Sequence, residues 1–251
     1  QAIEEVTYAL LTYSELDRMA AEFGCGLIEL GLQPQEAVGI FAENCPEWMV
    51  CDLAVLGNGA YDVPRGISAA KEELKYILDH SEARFVIVQS EKIRDWVLEI
   101  QKELSNLEYI IVLDDEAGET GSKKNIYSFH SMLELGRKNK KHLEEFQKRR
   151  ENTSAEDIAT LMYTSGTSGK PKGTPLTHAN MMQNVQILPF MLHMRSEDRF
   201  LSILPIWHIF ERTGEYAAFR VGASIWYTSS MSLLNDMAVG KPTFILYHPR
   251  V

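Results

Sequence analysis

The chain has 251 residues, 45% of them hydrophobic, with 25 basic against 35 acidic side chains and a net charge of −10. That length allows one large domain or two small ones, and the acidic balance argues against a nucleic-acid partner. No apolar run reaches the roughly 18 residues needed to cross a bilayer, no leader pattern opens the sequence at Gln1, and the three cysteines, Cys25, Cys45 and Cys51, lack metal-ligand spacing. An odd, sparse cysteine set fits a reducing compartment, so a cytoplasmic setting is expected.

Thr12-Tyr-Ser-Glu15 forms a capping box, and Leu16, Met19, Ala20, Phe23, Leu27 and Leu30 recur at helical spacing before Gly31. Residues 37–41 read as a short strand, after which Asn44 is expected to cap a helix with Pro46 in its first turn. Further strands are expected at 60–63, 85–88 and 109–113, separated by helices opened by Ser68 and Ser90. Such alternation predicts an α/β fold, a mostly parallel sheet with helices on both faces. Residues 114–124 read as a surface loop and 128–148 as a charged helix. The basic runs at 137–141 and 148–150 read first as a solvated helix face. The rarer alternative is a patch for an acidic carrier protein or a peripheral contact with a membrane. A buried strand at 158–163 follows, then a helix from 178 to 188 stopped by Pro189, and strands at 198–204, 223–227 and 243–247. No linker cuts the chain, so 1–251 is treated as one unit.

Residues 163–173 read Tyr-Thr-Ser-Gly-Thr-Ser-Gly-Lys-Pro-Lys-Gly. Glycines let backbone N–H groups approach a ligand, hydroxyls donate, and lysines add positive charge. Between the preceding strand and a helix capped by Thr177, the stretch has the parts of a polyphosphate cradle aided by a helix N-terminus. It is not a Walker A loop: Thr164 stands where that pattern needs glycine, and Pro171 follows Lys170. Thr164, Ser165, Gly166, Thr167, Ser168, Gly169 and Lys172 are the phosphate-binding candidates. A second cluster, Leu204-Pro-Ile-Trp-His208 followed by Phe210-Glu-Arg212, comes after a strand end, where open α/β sheets bind ligands.

The eleven-residue stretch closely resembles the phosphate-binding motif of the adenylate-forming enzymes, and Leu204-Pro-Ile-Trp-His208 resembles their Pro-x-x-His motif. Trp-His followed by Glu-Arg is similar to the long-chain fatty acyl branch, as is the more diffuse stretch 59–66. The match departs at Thr174-Pro175, where the family usually has a small aliphatic residue. The resemblance implies the first part of a large N-terminal AMP-binding domain, with ATP and Mg²⁺ handled by the loop. It implies that Thr164 faces the metal, that Lys172 and His208 are catalytic, and that Trp207 and His208 border the acyl pocket. The implied activity is ATP-dependent activation of a long-chain fatty acid to an acyl-adenylate, then thioester formation with coenzyme A. The alternatives are acyl carrier protein as acceptor, an aryl or amino acid substrate, or a non-catalytic nucleotide-binding module. The family's Tyr-Gly-x-Thr-Glu motif, ribose-binding Asp and C-terminal Lys are not found in this sequence. The 251 residues are therefore expected to be incomplete for thioester synthesis, with the small C-terminal domain absent.

Overall fold

The computed structural model describes residues 10–114, 125–164 and 170–247. In chain order the elements are α1 (Tyr13–Glu29), β1 (Ala37–Phe41), α2 (Pro46–Gly57), β2 (Tyr61–Arg65), α3 (Lys71–His80), β3 (Phe85–Ser90) and α4 (Glu91–Gln101). Next come β4 (Tyr109–Asp114), β5 (Ile126–Ser128), α5 (Phe129–Arg137), α6 (Lys140–Asn152), β6 (Ile158–Thr164), β7 (Lys172–Thr177) and α7 (His178–Met191). The last are β8 (Arg199–Ser202), α8 (Ile209–Val221), β9 (Ser224–Tyr227), α9 (Leu233–Gly240) and β10 (Phe244–Ile245).

A seven-stranded sheet runs β5-β4-β3-β1-β2-β6-β7, and a three-stranded sheet runs β10-β8-β9. Among the described residues all pairings are parallel except β6 with β7. Strand side chains alternate between faces, and the large sheet uses both. Val38, Ile40, Phe85, Ile87 and Ile111 pack with residues of α1, α2 and α5 on one face. Phe41, Val86, Val88, Ile110 and Val112 pack with residues of α3 and α4 on the other. Burial on both sides explains the near-continuous apolar runs of β1, β3 and β4. The small sheet meets α8, where Phe200, Ala217, Ala218 and Ala223 form a satellite core. Among the described residues the three cysteines are unbridged, and no helix is long and apolar enough to cross a membrane.

Several local expectations are corrected. Residues 172–177 form a strand antiparallel to β6, so the glycine-rich stretch closes a hairpin rather than joining a strand to a helix. Thr177 does cap α7 in a capping box, but six strand residues separate that helix start from the loop. At about 3.3 Å per residue this is roughly 20 Å, beyond the reach of a helix-terminal field. Pro175 is tolerated because β7 is an edge strand. Pro189 does not stop its helix: α7 continues to Met191, and the last turn is held by Leu192 N–H to Leu188 O and Met194 N–H to Pro189 O, both 2.9 Å. Helix α3 starts at Lys71 rather than at Ser68. The expected helix at 128–148 is broken at Asn139, whose side chain accepts from Lys141 N–H at 3.2 Å and starts a new helix. Asn44 caps nothing: Cys45 is the N-cap of α2, without a side-chain cap bond. The loop expected from 114 onward lies outside the described residues beyond Asp114.

Helices α1 and α5 touch backbone to backbone. A Cβ on Gly136 would fall 1.8 Å from Glu22 O and 3.0 Å from Gly26 N. Gly136→Ala must push the helices apart, so it is expected to destabilise the fold by at least about 1–3 kcal/mol. Urea unfolding of the variant checks this, and an unchanged midpoint would refute so close an approach.

Candidate active site

Among the described candidates, Thr164 and Lys172 lie at the carboxyl end of β6 and Trp207 at that of β2. Thr164 ends β6, Lys172 begins β7, and the two are register partners across the mouth of the hairpin, both exposed. Ser165, Gly166, Thr167, Ser168 and Gly169 lie outside the described residues. Just below the rim, Tyr163 is buried, and its hydroxyl pairs with His80 Nδ1 at 2.7 Å. Burial, with Tyr76 and Tyr61 nearby, pushes the Tyr163 hydroxyl up to about 12, so it stays protonated. Tyr76 stands edge-on to Tyr163 and receives Lys170 Nζ over its ring at 5.6 Å. Helix α3 thus holds the end of β6, and an aromatic face attracts the first lysine after the loop.

The second cluster follows β8. Trp207 packs against the end of β2: Arg65 Cζ is 5.0 Å from its ring, and a Cβ on Gly66 would be only 2.4 Å from its Nε1. The indole N–H points to Glu43 Oε2 at 3.4 Å, while Glu43 Oε1 accepts from Ile67 N–H at 3.0 Å. The register of Asp62 with Thr160 sets Arg65 level with Tyr163. Trp207 and the hairpin mouth therefore share one edge of two adjacent strands, which are spaced about 5 Å apart. His208 is exposed and is the N-cap of α8, its Nδ1 accepting from Phe210 N–H at 3.4 Å. A cavity of about 750 Å³, bordered by Leu53, Phe146, His178, Met181 and Phe219, includes neither Trp207 nor His208.

Beneath this edge lies a charge cluster that the sequence did not reveal. Arg212, Asp52 and Asp62 have no exposed surface. Arg212 donates to Asp62 Oδ1 at 3.0 Å and also contacts Asp62 Oδ2 and Asp52 Oδ1. Thr160 donates to Asp62 and Tyr216 to Asp52. Burial opposes the charge of Arg212, but the two carboxylates outweigh it and raise its pKa well above the ordinary value. Burial raises Asp52 well above the carboxylate range, with Arg212 opposing and Asp62 reinforcing the shift. The cluster joins both motifs. Thr160 is four residues before Thr164, about 13 Å along the strand, and Arg212 is about one helical turn after His208. An aspartate inside the strand-like run Tyr61-Asp-Val63 was the available signal, since a lone charge there requires a buried partner.

Two further carboxyls are buried on α8, Glu211 and Glu215. Glu211 Oε1 accepts from Ile203 N–H at 3.0 Å, and its buried Oε2 has no hydrogen-bond partner within bonding distance among the described residues. Glu215 accepts from Ser202 Oγ at 2.7 Å and from the Tyr227 hydroxyl at 2.9 Å. Burial and the charge of Glu215 push Glu211 up to about 8. Burial pushes Glu215 up to about 7, against hydrogen bonds from Ser202 and Tyr227 that lower it.

Two strands joined by a sequence rich in glycine and hydroxyls thus lie beside a Pro-x-Trp-His turn at the carboxyl edge of a parallel sheet. The chain belongs to the AMP-binding enzyme family, whose residue pattern matches residues 2–251. It is 32% identical over 248 residues to a chloroplastic long-chain-fatty-acid–acyl-carrier-protein ligase of Arabidopsis thaliana, covering 96% of this chain and 34% of that protein. It is 33% identical over 261 residues to long chain acyl-CoA synthetase 1 of the same plant, covering 97% of this chain and 38% of the relative. The chain thus spans about a third of the length of these relatives. Among solved structures, an anthranilate CoA ligase bound to anthranoyl-AMP superposes with a TM-score of 0.80 at 25% identity, covering 95% of this chain and 46% of that one. A long-chain-fatty-acid-CoA ligase from Archaeoglobus fulgidus shares the fold, with a TM-score of 0.78 at 21% identity, covering 97% and 46% of the two chains.

Removing Arg212 would leave two buried carboxyls facing each other. Arg212→Met is expected to cost about 3–5 kcal/mol, read from the denaturant midpoint, and a loss of under 1 kcal/mol would contradict the assigned burial. The glutamates set a pH dependence. Their folded values of about 8 and about 7 lie above the ordinary 4.5, so the folded state holds these protons more tightly than the unfolded chain. Their contribution to stability is full below about pH 4.5 and is lost as the pH rises through 7 and 8. The unfolding midpoint should fall from about pH 5 to about pH 9, and the Glu211→Gln/Glu215→Gln double variant should flatten that slope. An equal slope in wild type and variant would refute the assignment.

Proposed function

We propose that this chain is the first part of the N-terminal domain of a long-chain fatty acid ligase. In the first step the fatty carboxylate attacks the α-phosphorus of ATP, and pyrophosphate leaves. In the second a thiol attacks the acyl-adenylate, AMP leaves with the bonding pair, and the thiol proton passes to solvent. A carboxylate is a poor acyl donor because its leaving group would be oxide, and adenylation replaces that with a good one. In this reading Thr164, Lys172 and residues 165–169 hold the β- and γ-phosphates, His208 borders the reacting carboxyl and α-phosphate, and Trp207 walls the acyl side. The observation that carries the reading is the common strand edge shared by the Thr164–Lys172 hairpin mouth and Trp207.

The protein's contribution is orientation and charge neutralisation as negative charge moves onto pyrophosphate. Magnesium would arrive with ATP and screen that charge. The resemblance of residues 163–173 to the family's phosphate motif makes the Thr164 hydroxyl the contact proposed for it. The names of the relatives support a long-chain fatty acid as substrate and coenzyme A as acceptor, with acyl carrier protein as the alternative. The relatives named for a compartment are chloroplastic or peroxisomal, which gives the cytoplasmic expectation no support.

The test is ATP–pyrophosphate exchange by the complete protein, with palmitate, an aryl acid or an amino acid, followed by mass spectrometry of products with coenzyme A or acyl carrier protein. Exchange dependent on palmitate and a palmitoyl thioester are expected, while nucleotide binding without exchange under any acid would favour the non-catalytic module. Lys172→Ala should lower exchange about ten- to hundredfold, the worth of one charge-assisted contact. Its fold should be unharmed, because Lys172 is exposed. Undiminished exchange in this variant would remove Lys172 from the site.

A further inference from the structure

Asn44 lies just past the end of β1, and its side chain serves neither its own strand nor the helix that follows. Its Nδ2 donates to Ser202 Oγ and to Leu204 O, both at 2.7 Å, and its Oδ1 accepts from Ile206 N–H at 2.9 Å. An amide offers two donors and one acceptor oxygen, and here all three groups engage one stretch 158 to 162 residues away. The contacts bracket Pro205, whose carbonyl accepts from His208 N–H at 2.9 Å. The backbone is thus fixed from Leu204 to Ile206, and the next hydrogen bond carries that constraint to the histidine. Glu43, one residue earlier, takes the Trp207 indole N–H. On the far side Glu211 takes Ile203 N–H and Glu215 takes Ser202 Oγ.

We propose that Asn44 is a positioning residue that sets the Pro-Ile-Trp-His turn, and through it His208, over the carboxyl ends of β1 and β2. The proposal rests on the adenylation reading above for its catalytic consequence, but not for its geometry. Aspartate has nearly the shape of asparagine but only acceptors. It would keep Ile206 N–H, lose both donations, and set a carboxylate oxygen against Leu204 O. A role limited to filling space would therefore tolerate Asn44→Asp, whereas positioning through donors would not.

The experiment compares wild type, Asn44→Ala and Asn44→Asp in the complete protein. Acid-dependent pyrophosphate exchange is measured alongside the labelling of His208 by diethyl pyrocarbonate, followed by peptide mass spectrometry. Both variants are expected to lose about ten- to hundredfold in kcat for exchange. The KM for ATP should stay within about twofold, because the phosphate hairpin rests on β6 and β7. His208 should be labelled at a different rate from wild type while unfolding remains cooperative. Wild-type kcat in Asn44→Asp, or unchanged His208 labelling in both variants, would overturn the proposal. So would unfolding of both variants, which would assign the bonds to stability alone. If wild type itself shows no acid-dependent exchange, the adenylation reading fails, and His208 labelling still decides whether Asn44 holds the turn.

Discussion

Arg212 carries its charge between two carboxyls where no water reaches, and the placement of the other elements around it follows from that constraint. An isolated buried ion costs several kcal/mol, so the guanidinium must have its partners and the partners must have it. Those partners come from α2 and β2, and Thr160 of β6 and Tyr216 of α8 complete their hydrogen bonds. Helix α8 is thereby tied to the large sheet by directional bonds, while its other side packs on the small sheet through Ala217, Ala218 and Phe200. Hydrophobic burial is non-directional and by itself specifies the placement of a helix less sharply than a charge with fixed acceptors does.

The consequence is felt at the surface edge. Strand β6 delivers Thr164 to the hairpin mouth, and α8 begins immediately after its N-cap, His208. The cluster joins strand and helix roughly one layer beneath both. Above it the fastening becomes finer. Tyr163 is pinned by His80, Trp207 lies on Gly66 under Arg65, and Asn44 grips the turn between Leu204 and Ile206. Each of these bonds joins residues far apart in sequence, so the geometry of the edge belongs to the fold rather than to any local segment.

The glycine-rich hairpin contrasts with the helix-terminal anion sites of many α/β proteins. Since β7 separates the loop from the start of α7, that helix terminus adds no field there, while Lys170 and Lys172 follow the loop in sequence. Lys170, itself exposed, lies over the face of Tyr76, and Lys172, the register partner of Thr164, is a second exposed cation at the rim.

The sequence by itself determined the α/β class, most element positions and the two motifs. Apolar runs, capping residues and glycine-hydroxyl-lysine patterns are local chemistry, written within a few residues of one another. It also identified Thr12 and Thr177 as helix caps, because a capping box closes within four residues. It misassigned Asn44, whose composition suits a cap but whose amide found partners 158 to 162 residues away. It missed β7 because strand pairing with β6 overrode a stretch that read as loop, and it stopped α7 too early because burial of Pro189 outweighs one lost backbone bond. The Arg212 cluster was missed for the same reason: apart from Asp62 in its strand-like run, Asp52, Thr160 and Arg212 each look like an ordinary polar residue until tertiary packing removes water from around all four. Only the folded chain decides which polar side chains must find one another.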